Sequence, residues 1–176
     1  VGDLNINAFT KSINEIRRRH KILRTNFYSH KGESFQRVNP FKPAEIEQVD
    51  LSGIQENKKE NIFYAQAKKE IDHAFDLEKD SLLKTYLYKL DEEEYIFLIK
   101  VHHIIFDGFS FGLFYNELSK LYEAFQANKE PDLPELKIQF GTFANWQRNL
   151  FKTREIDEEI EYWKHALKGA PAELEI

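Results

Sequence analysis

Residues 94 to 102, Glu-Tyr-Ile-Phe-Leu-Ile-Lys-Val-His, carry apolar side chains on both faces of a period-two repeat. Tyr95, Phe97, Ile99 and Val101 share one face, and Ile96 and Leu98 the other, because side chains alternate along a strand. A strand of this kind needs cover above and below, so it reads as the centre of a sheet flanked by helices. The acidic turn Asp91-Glu92-Glu93 separates it from a second apolar run, Leu82 to Leu90, and the two form an antiparallel hairpin. Mixed α/β is the architecture this demands.

The rest of the chain supplies the cover. Ile6, Phe9, Ile13, Ile16 and Leu23 keep a three-four spacing, which predicts an amphipathic helix from about Asn5 to His20 with Asn5 or Asn7 as its cap. His20 falls on the same stripe, where a packed core histidine is the default reading. Thr25 to Ser29 and Phe35 to Val38 form a short hairpin across Lys31-Gly32-Glu33. Pro40 and Pro43 interrupt the pattern, and Glu45 to Asp50 makes a further edge strand. A second helix spans about Gln55 to Phe75, with Ile62, Ala65, Ala67, Ile71 and Phe75 near one face. A third follows residue 108, with Ser110 as a cap and Phe114, Leu118, Leu121 and Phe125 as its stripe. Beyond the loop signals at Pro131 and Pro134 come two more helical patterns, Phe140 to Phe151 and Asp157 to Leu167.

Composition narrows the function classes. The chain has 176 residues, a size suited to one domain or one lobe of a larger one. A net charge of −5 with no basic stripe argues against nucleic acid. The run Arg17-Arg18-Arg19 with Lys21 and Arg24 is short and reads as a solvated helix face. Cysteine is absent, which excludes disulfides and thiolate metal sites and fits a reducing, cytoplasmic compartment. No apolar run reaches the ~18 residues of a membrane span. The sequence begins at Val1 in mid-pattern, as a piece of something longer would.

Chemistry concentrates where the strand ends, in His102-His103-Ile104-Ile105-Phe106-Asp107-Gly108-Phe109-Ser110. An imidazole at such a boundary can exchange protons near neutral pH at the mouth of a cleft. If the strand runs through the pair, His102 and His103 point to opposite faces and cannot chelate one metal. His103 and Asp107 alone make a poor zinc site. A Ser-His-Asp relay through Ser110 would need all three groups from one short stretch, without a nucleophile elbow. Two readings stay open. In one, both histidines are structural, and Asp107 holds the loop or caps the following helix. In the other, one imidazole faces a cleft while Asp107 turns away to Arg19 or Arg24 and fixes the loop.

The same residues resemble a known family. His102-His103-Ile104-Ile105-Phe106-Asp107-Gly108 is similar to the HHxxxDG signature of nonribosomal peptide synthetase condensation domains, in the chloramphenicol-acetyltransferase-like superfamily. Arg19-His20-Lys21-Ile22-Leu23-Arg24-Thr25-Asn26-Phe27 resembles RHExLRTxF, with Lys21 in place of Glu. Phe75-Asp76-Leu77 with Leu82-Leu83-Lys84 resembles FDL...PLLR, Ser81 replacing Pro. Phe140-Gly141-Thr142-Phe143-Ala144-Asn145-Trp146-Gln147 is similar to YxDFAxWQ, with Thr142 for the acid. Tyr162-Trp163 and Gly169-Ala170-Pro171 resemble the segment closing the first lobe.

The resemblance implies a chloramphenicol-acetyltransferase-like lobe, a mixed, largely antiparallel sheet flanked by helices. Residues 1–176 would be the N-terminal lobe, without the first strand region and the C-terminal lobe. It further implies amide-bond formation between two thioesters, each held on the phosphopantetheine of a carrier protein. His103 would be catalytic, as base or as a hydrogen-bonding partner of the attacking amine. Asp107 would be structural and paired with arginine, Arg24 matching the motif better than Arg19. Gly108 would keep the cleft wall clear for a pantetheine arm, and His102 would pack inside. The lobe itself would bind no cofactor or metal. Its implied partners are donor and acceptor peptidyl carrier proteins, the C-terminal lobe and an adjacent adenylation domain, with no nucleic acid or membrane. Heterocyclising relatives replace the histidines with acids, and epimerising ones usually lack the glycine, so Asp107-Gly108-Phe109-Ser110 favours condensation. Phe109 stands for the commoner Trp. Two alternatives remain: a noncatalytic carrier-docking domain, and a superfamily acyltransferase using a free alcohol or coenzyme A ester.

Overall fold

The computed structural model describes residues 2–171; Val1, where the sequence begins in mid-pattern, lies outside them. The chain divides into two compact units, one up to Lys137 and one from Ile138. In the first, helix α1 (Ile6–Arg19) starts at Asn5, whose side chain accepts the Ala8 N–H, so Asn5 rather than Asn7 is the cap. A 3₁₀ turn, Lys21–Arg24, leads into strand β1 (Thr25–His30), which pairs antiparallel with β2 (Glu33–Val38). Lys31 and Gly32 both have positive φ, 52° and 81°, as a tight two-residue hairpin requires.

Strand β3 (Glu47–Asp50), helix α2 (Glu56–Asp72), strands β4 (Leu83–Asp91) and β5 (Glu94–Val101) and helix α3 (Gly108–Gln126) complete this unit. The three strands form one sheet in the order β3-β4-β5, with β3 parallel to β4 and β5 antiparallel to it. The hairpin and the edge strand match the sequence reading. The position of β5 does not. Its alternation predicts a central strand, whereas β4 holds that place and β5 pairs only with β4 among the described residues. Correspondingly, Tyr86, Leu87 and Tyr88 of β4 are buried while Tyr95 to Val101 are half-buried. Apolar residues on both faces report cover above and below, not a hydrogen-bonded neighbour on each edge.

That cover is as the alternation demands. Tyr95, Phe97, Ile99 and Val101 pack against a core built from Phe9, Ile13 and Ile16 of α1 and Phe114, Leu118 and Leu121 of α3. Ile96 and Leu98 pack on the other side against Leu51, Tyr86 and Tyr88, beside Ile62 and Phe63 of α2. Helix α2 is shorter than its pattern: Ile71 is exposed near its end, and Phe75 reaches the larger core from beyond it. The second unit contains α4 (Phe140–Leu150) and α5 (Arg154–Ala166), close to the predicted ranges. No helix among the described residues is long and apolar enough to cross a membrane.

Candidate active site

The ladder between β4 and β5 outlasts the strand by one bond, from His102 N–H to the Leu82 carbonyl at 3.0 Å. The backbone then tightens into a 3₁₀ turn, His103–Ile105, whose cap is the side chain of His102. The Nδ1 of His102 accepts the Ile104 N–H at 3.0 Å, which places the proton of its neutral ring on Nε2. The ring lies half-buried, edge-on to Phe75 with centroids 5.9 Å apart. His102 is thus the packed, loop-forming member of the pair.

His103 is the opposite. Because the strand has ended, alternation no longer fixes its direction; the 3₁₀ turn does, and the residue is exposed. Its ring has no hydrogen-bond partner among the described residues. Ile105 and Phe106 immediately after it are buried, and Phe106 contacts Phe114 and Phe111 edge-on, so the turn is pinned to α3 from beneath. The result is an exposed imidazole on a turn held by a side-chain cap and by two buried side chains.

Asp107 does not do what the arginine hypothesis required. It is the N-cap of α3, replacing the predicted cap Ser110, which sits at the third helical position and completes a capping box. The Asp107 carboxylate accepts the Ser110 N–H at 2.9 Å and its hydroxyl at 2.6 Å, while Ser110 Oγ accepts the Asp107 N–H at 3.2 Å. These bonds, the Ser110 hydroxyl foremost, then its N–H, with a small contribution from the charge of His103, hold the carboxyl below its ordinary range. Among the described residues, Asp107 pairs with neither Arg24 nor Arg19. Arg24 donates to the Asn39 carbonyl. Arg19 points at Glu117, with both nitrogens at 3.3 Å, and at the Pro134 carbonyl at 2.9 Å. The cap geometry explains this: Asp107 turns its carboxylate onto its own helix, and the arginine finds an acid further along α3.

Glu117 is the residue that sequence reasoning missed. Its side chain is 6% exposed and also meets His20 Nε2 at 2.9 Å. Burial by itself pushes this carboxyl up, but the hydrogen bonds from His20 and Arg19 and their charges outweigh it, and the net direction is down. His20 is therefore not a plain core histidine but one arm of a clamp between α1 and α3. The signal is present in the sequence: Glu117 interrupts the Phe114-Leu118-Leu121 stripe, where an acid has to find a cation.

At Gly108 a Cβ would meet nothing within 4 Å, so no contact among the described residues requires glycine there.

Comparison with known proteins supplies the remaining context. The family model for the condensation domain matches residues 1–176. A linear gramicidin synthase from Brevibacillus parabrevis is 38% identical over 170 residues, 97% of this chain and 3% of that protein. Malpinin synthetase of Mortierella alpina is 34% identical over 175 residues, 99% of this chain and 2% of that protein. The chain thus spans only a few per cent of these curated relatives. Among solved structures, the X-domain from teicoplanin biosynthesis superposes with a TM-score of 0.85 at 26% identity, over 99% of this chain and 38% of that one. The starter condensation domain of rhizomide synthetase gives 0.85 at 16% identity, over 97% and 41%, a likeness of fold alone.

Proposed function

The chain belongs to the condensation-domain family, and from that premise we propose that it is the N-terminal lobe of an amide-forming domain with His103 as its acid–base group. Condensation domains of nonribosomal peptide synthetases catalyse peptide-bond formation. The observation that carries the proposal is an exposed, unpartnered ring on a loop fixed by two caps and two buried side chains.

The chemistry asks for little more. A thioester is already activated, so the amine nitrogen of the acceptor attacks its carbonyl carbon directly. The C–N bond forms, the tetrahedral species collapses, the C–S bond breaks and the thiol leaves. One proton must come off the nitrogen, and His103 accepts it or holds the amine by a hydrogen bond as it departs; the proton ends on the departing sulfur. Holding both reactants in line supplies most of the remaining advantage. Both substrates ride on phosphopantetheine arms of donor and acceptor carrier proteins, so the lobe needs no cofactor of its own. The open face of Gly108 suits passage of such an arm. A C-terminal lobe would form the other wall, an adenylation domain would lie nearby, and the assembly would work in the cytoplasm.

The test is His103→Ala in the full two-lobe protein, with loaded carrier proteins and dipeptide formation as readout. The expected loss is roughly 10²–10⁴-fold, the usual contribution of a positioned acid–base group. Turnover near wild type with intact folding refutes the role.

A further inference from the structure

Beside the start of β1 lies a cavity of about 170 Å³ whose walls carry Arg17, Arg24, Lys42 and Lys79. Its acid, Asp80, is turned to the Asp76 N–H at 2.9 Å, and Lys79 faces Asp76 at 3.3 Å. Arg17, Arg24 and Lys42 have no carboxylate partner among the described residues. More telling, the Nε of Arg17 and the Nε of Arg24 are both buried with nothing to donate to. Arg24 commits one terminal nitrogen to the Asn39 carbonyl, which leaves its charge uncompensated. Glu45, Glu47 and Glu70 line a neighbouring cavity that Arg17 also borders, yet none pairs with it among the described residues, and Glu70 accepts the Tyr86 hydroxyl.

A guanidinium cannot shed its proton to escape desolvation, as a buried lysine can. Burial accordingly holds Arg17 below its ordinary value, the direction expected where no anion compensates it. Two guanidinium charges that border one cavity without a carboxylate partner are relieved by a single kind of guest. Two planar N–H forks match the oxygen edges of carboxylates and phosphates. We propose that this cavity is an oxyanion site, taking a phosphate ester or a carboxylate against Arg17 and Arg24 with Lys42 at its rim. Its walls include no residue of the His103 loop, so the site stands or falls apart from the amide-forming reading.

The experiment is a titration of the full two-lobe protein with inorganic phosphate, and separately with acetate, against chloride at matched ionic strength. Thermal unfolding and the ¹⁵N–¹H signals of the arginine Nε groups are followed. A saturable response is expected, with the melting temperature rising with anion concentration. Response to phosphate assigns a phosphate ester, and response to acetate alone assigns a carboxylate; either supports the site. Lys42→Ala, at an exposed position, should weaken binding about threefold. Arg17→Met should weaken it on the order of tenfold or more, since a charge-assisted hydrogen bond is lost. The same substitution should raise the melting temperature in anion-free buffer, because it removes an unpaired buried charge. The proposal is overturned if neither anion gives a saturable response, or if the response survives both substitutions unchanged.

Discussion

Glu117→Ala should be among the most damaging single changes in the first unit, and its cost can be worked from the clamp. The carboxylate is 6% exposed, Arg19 10% and His20 19%, so all three groups have left most of their water. At 3.3 Å and an effective dielectric near 20, one Arg–Glu pair is worth about 5 kcal/mol gross, most of which desolvation offsets. Removing the acid forfeits the attraction without recovering that desolvation. Arg19 keeps the Pro134 carbonyl at 2.9 Å, which lightens the penalty. About 3–4 kcal/mol is the expected loss, near the lower end for a broken buried pair. With a urea slope of about 2 kcal/mol per molar, the midpoint falls by about 1.5–2 M, read by far-ultraviolet circular dichroism. Glu117→Gln retains the volume and an acceptor, and should cost about half as much. The double variant Arg19→Met/Glu117→Leu should cost clearly less than the sum of its parts, because no orphaned charge remains. A loss under about 1 kcal/mol for Glu117→Ala, with no coupling in the cycle, would refute the clamp.

The same carboxyl sets an acid limb. Its folded pKa lies below the ordinary 4.5, so its contribution is fully present above that value and is lost as pH falls through the lower, folded one. Wild type should therefore lose more stability than Glu117→Gln as pH falls below 4.5, and parallel acid unfolding curves would contradict this. Asp107→Asn should preserve both folding and melting temperature, because asparagine caps as well as aspartate, whereas Asp107→Ala should lower the melting temperature measurably; equal loss from both would revive an arginine partner. Leu121, with 0% exposure at the α1–α3 core, should cost about 2–5 kcal/mol when cut to alanine, by the same urea measurement.

What the sequence makes legible, and what it hides, divide along physical lines. Period-two and three-four spacings locate the hairpin, β3, α1 and α3, and even the separate covers of the two faces of β5, because burial writes itself into side-chain type. Edge pairing is a backbone property that leaves no such mark, so the pattern puts β5 at the centre where β4 belongs. The end of α2 escapes for a related reason: Ile71 fits the stripe by spacing but stands 71% exposed. At the loop, a continuing strand would separate His102 and His103 into packed and open members. The separation holds, though a 3₁₀ turn produces it.

Asp107 is the instructive case: of the two readings the sequence leaves open, the structure shows the helix cap and not the arginine pair, and this changes what aims the imidazole. Composition offers several acids for each arginine, and type alone does not say which acid a cation meets. Local geometry decides it. A carboxylate at a helix start has two donors within reach at almost no loop-closure cost, the N–H and hydroxyl of Ser110, and it takes them. Arg19 is left for Glu117, deep enough along α3 that the pair welds two helices rather than one loop. The turn bearing His103 is consequently fixed by three independent means. His102 Nδ1 caps its beginning, Asp107 and Ser110 cap its end, and Ile105 and Phe106 seat it on α3. No one of these is an arginine, so neutralising Arg24 should leave the direction of His103 unchanged, whereas loosening the clamp at Glu117 should move α3 and the imidazole with it.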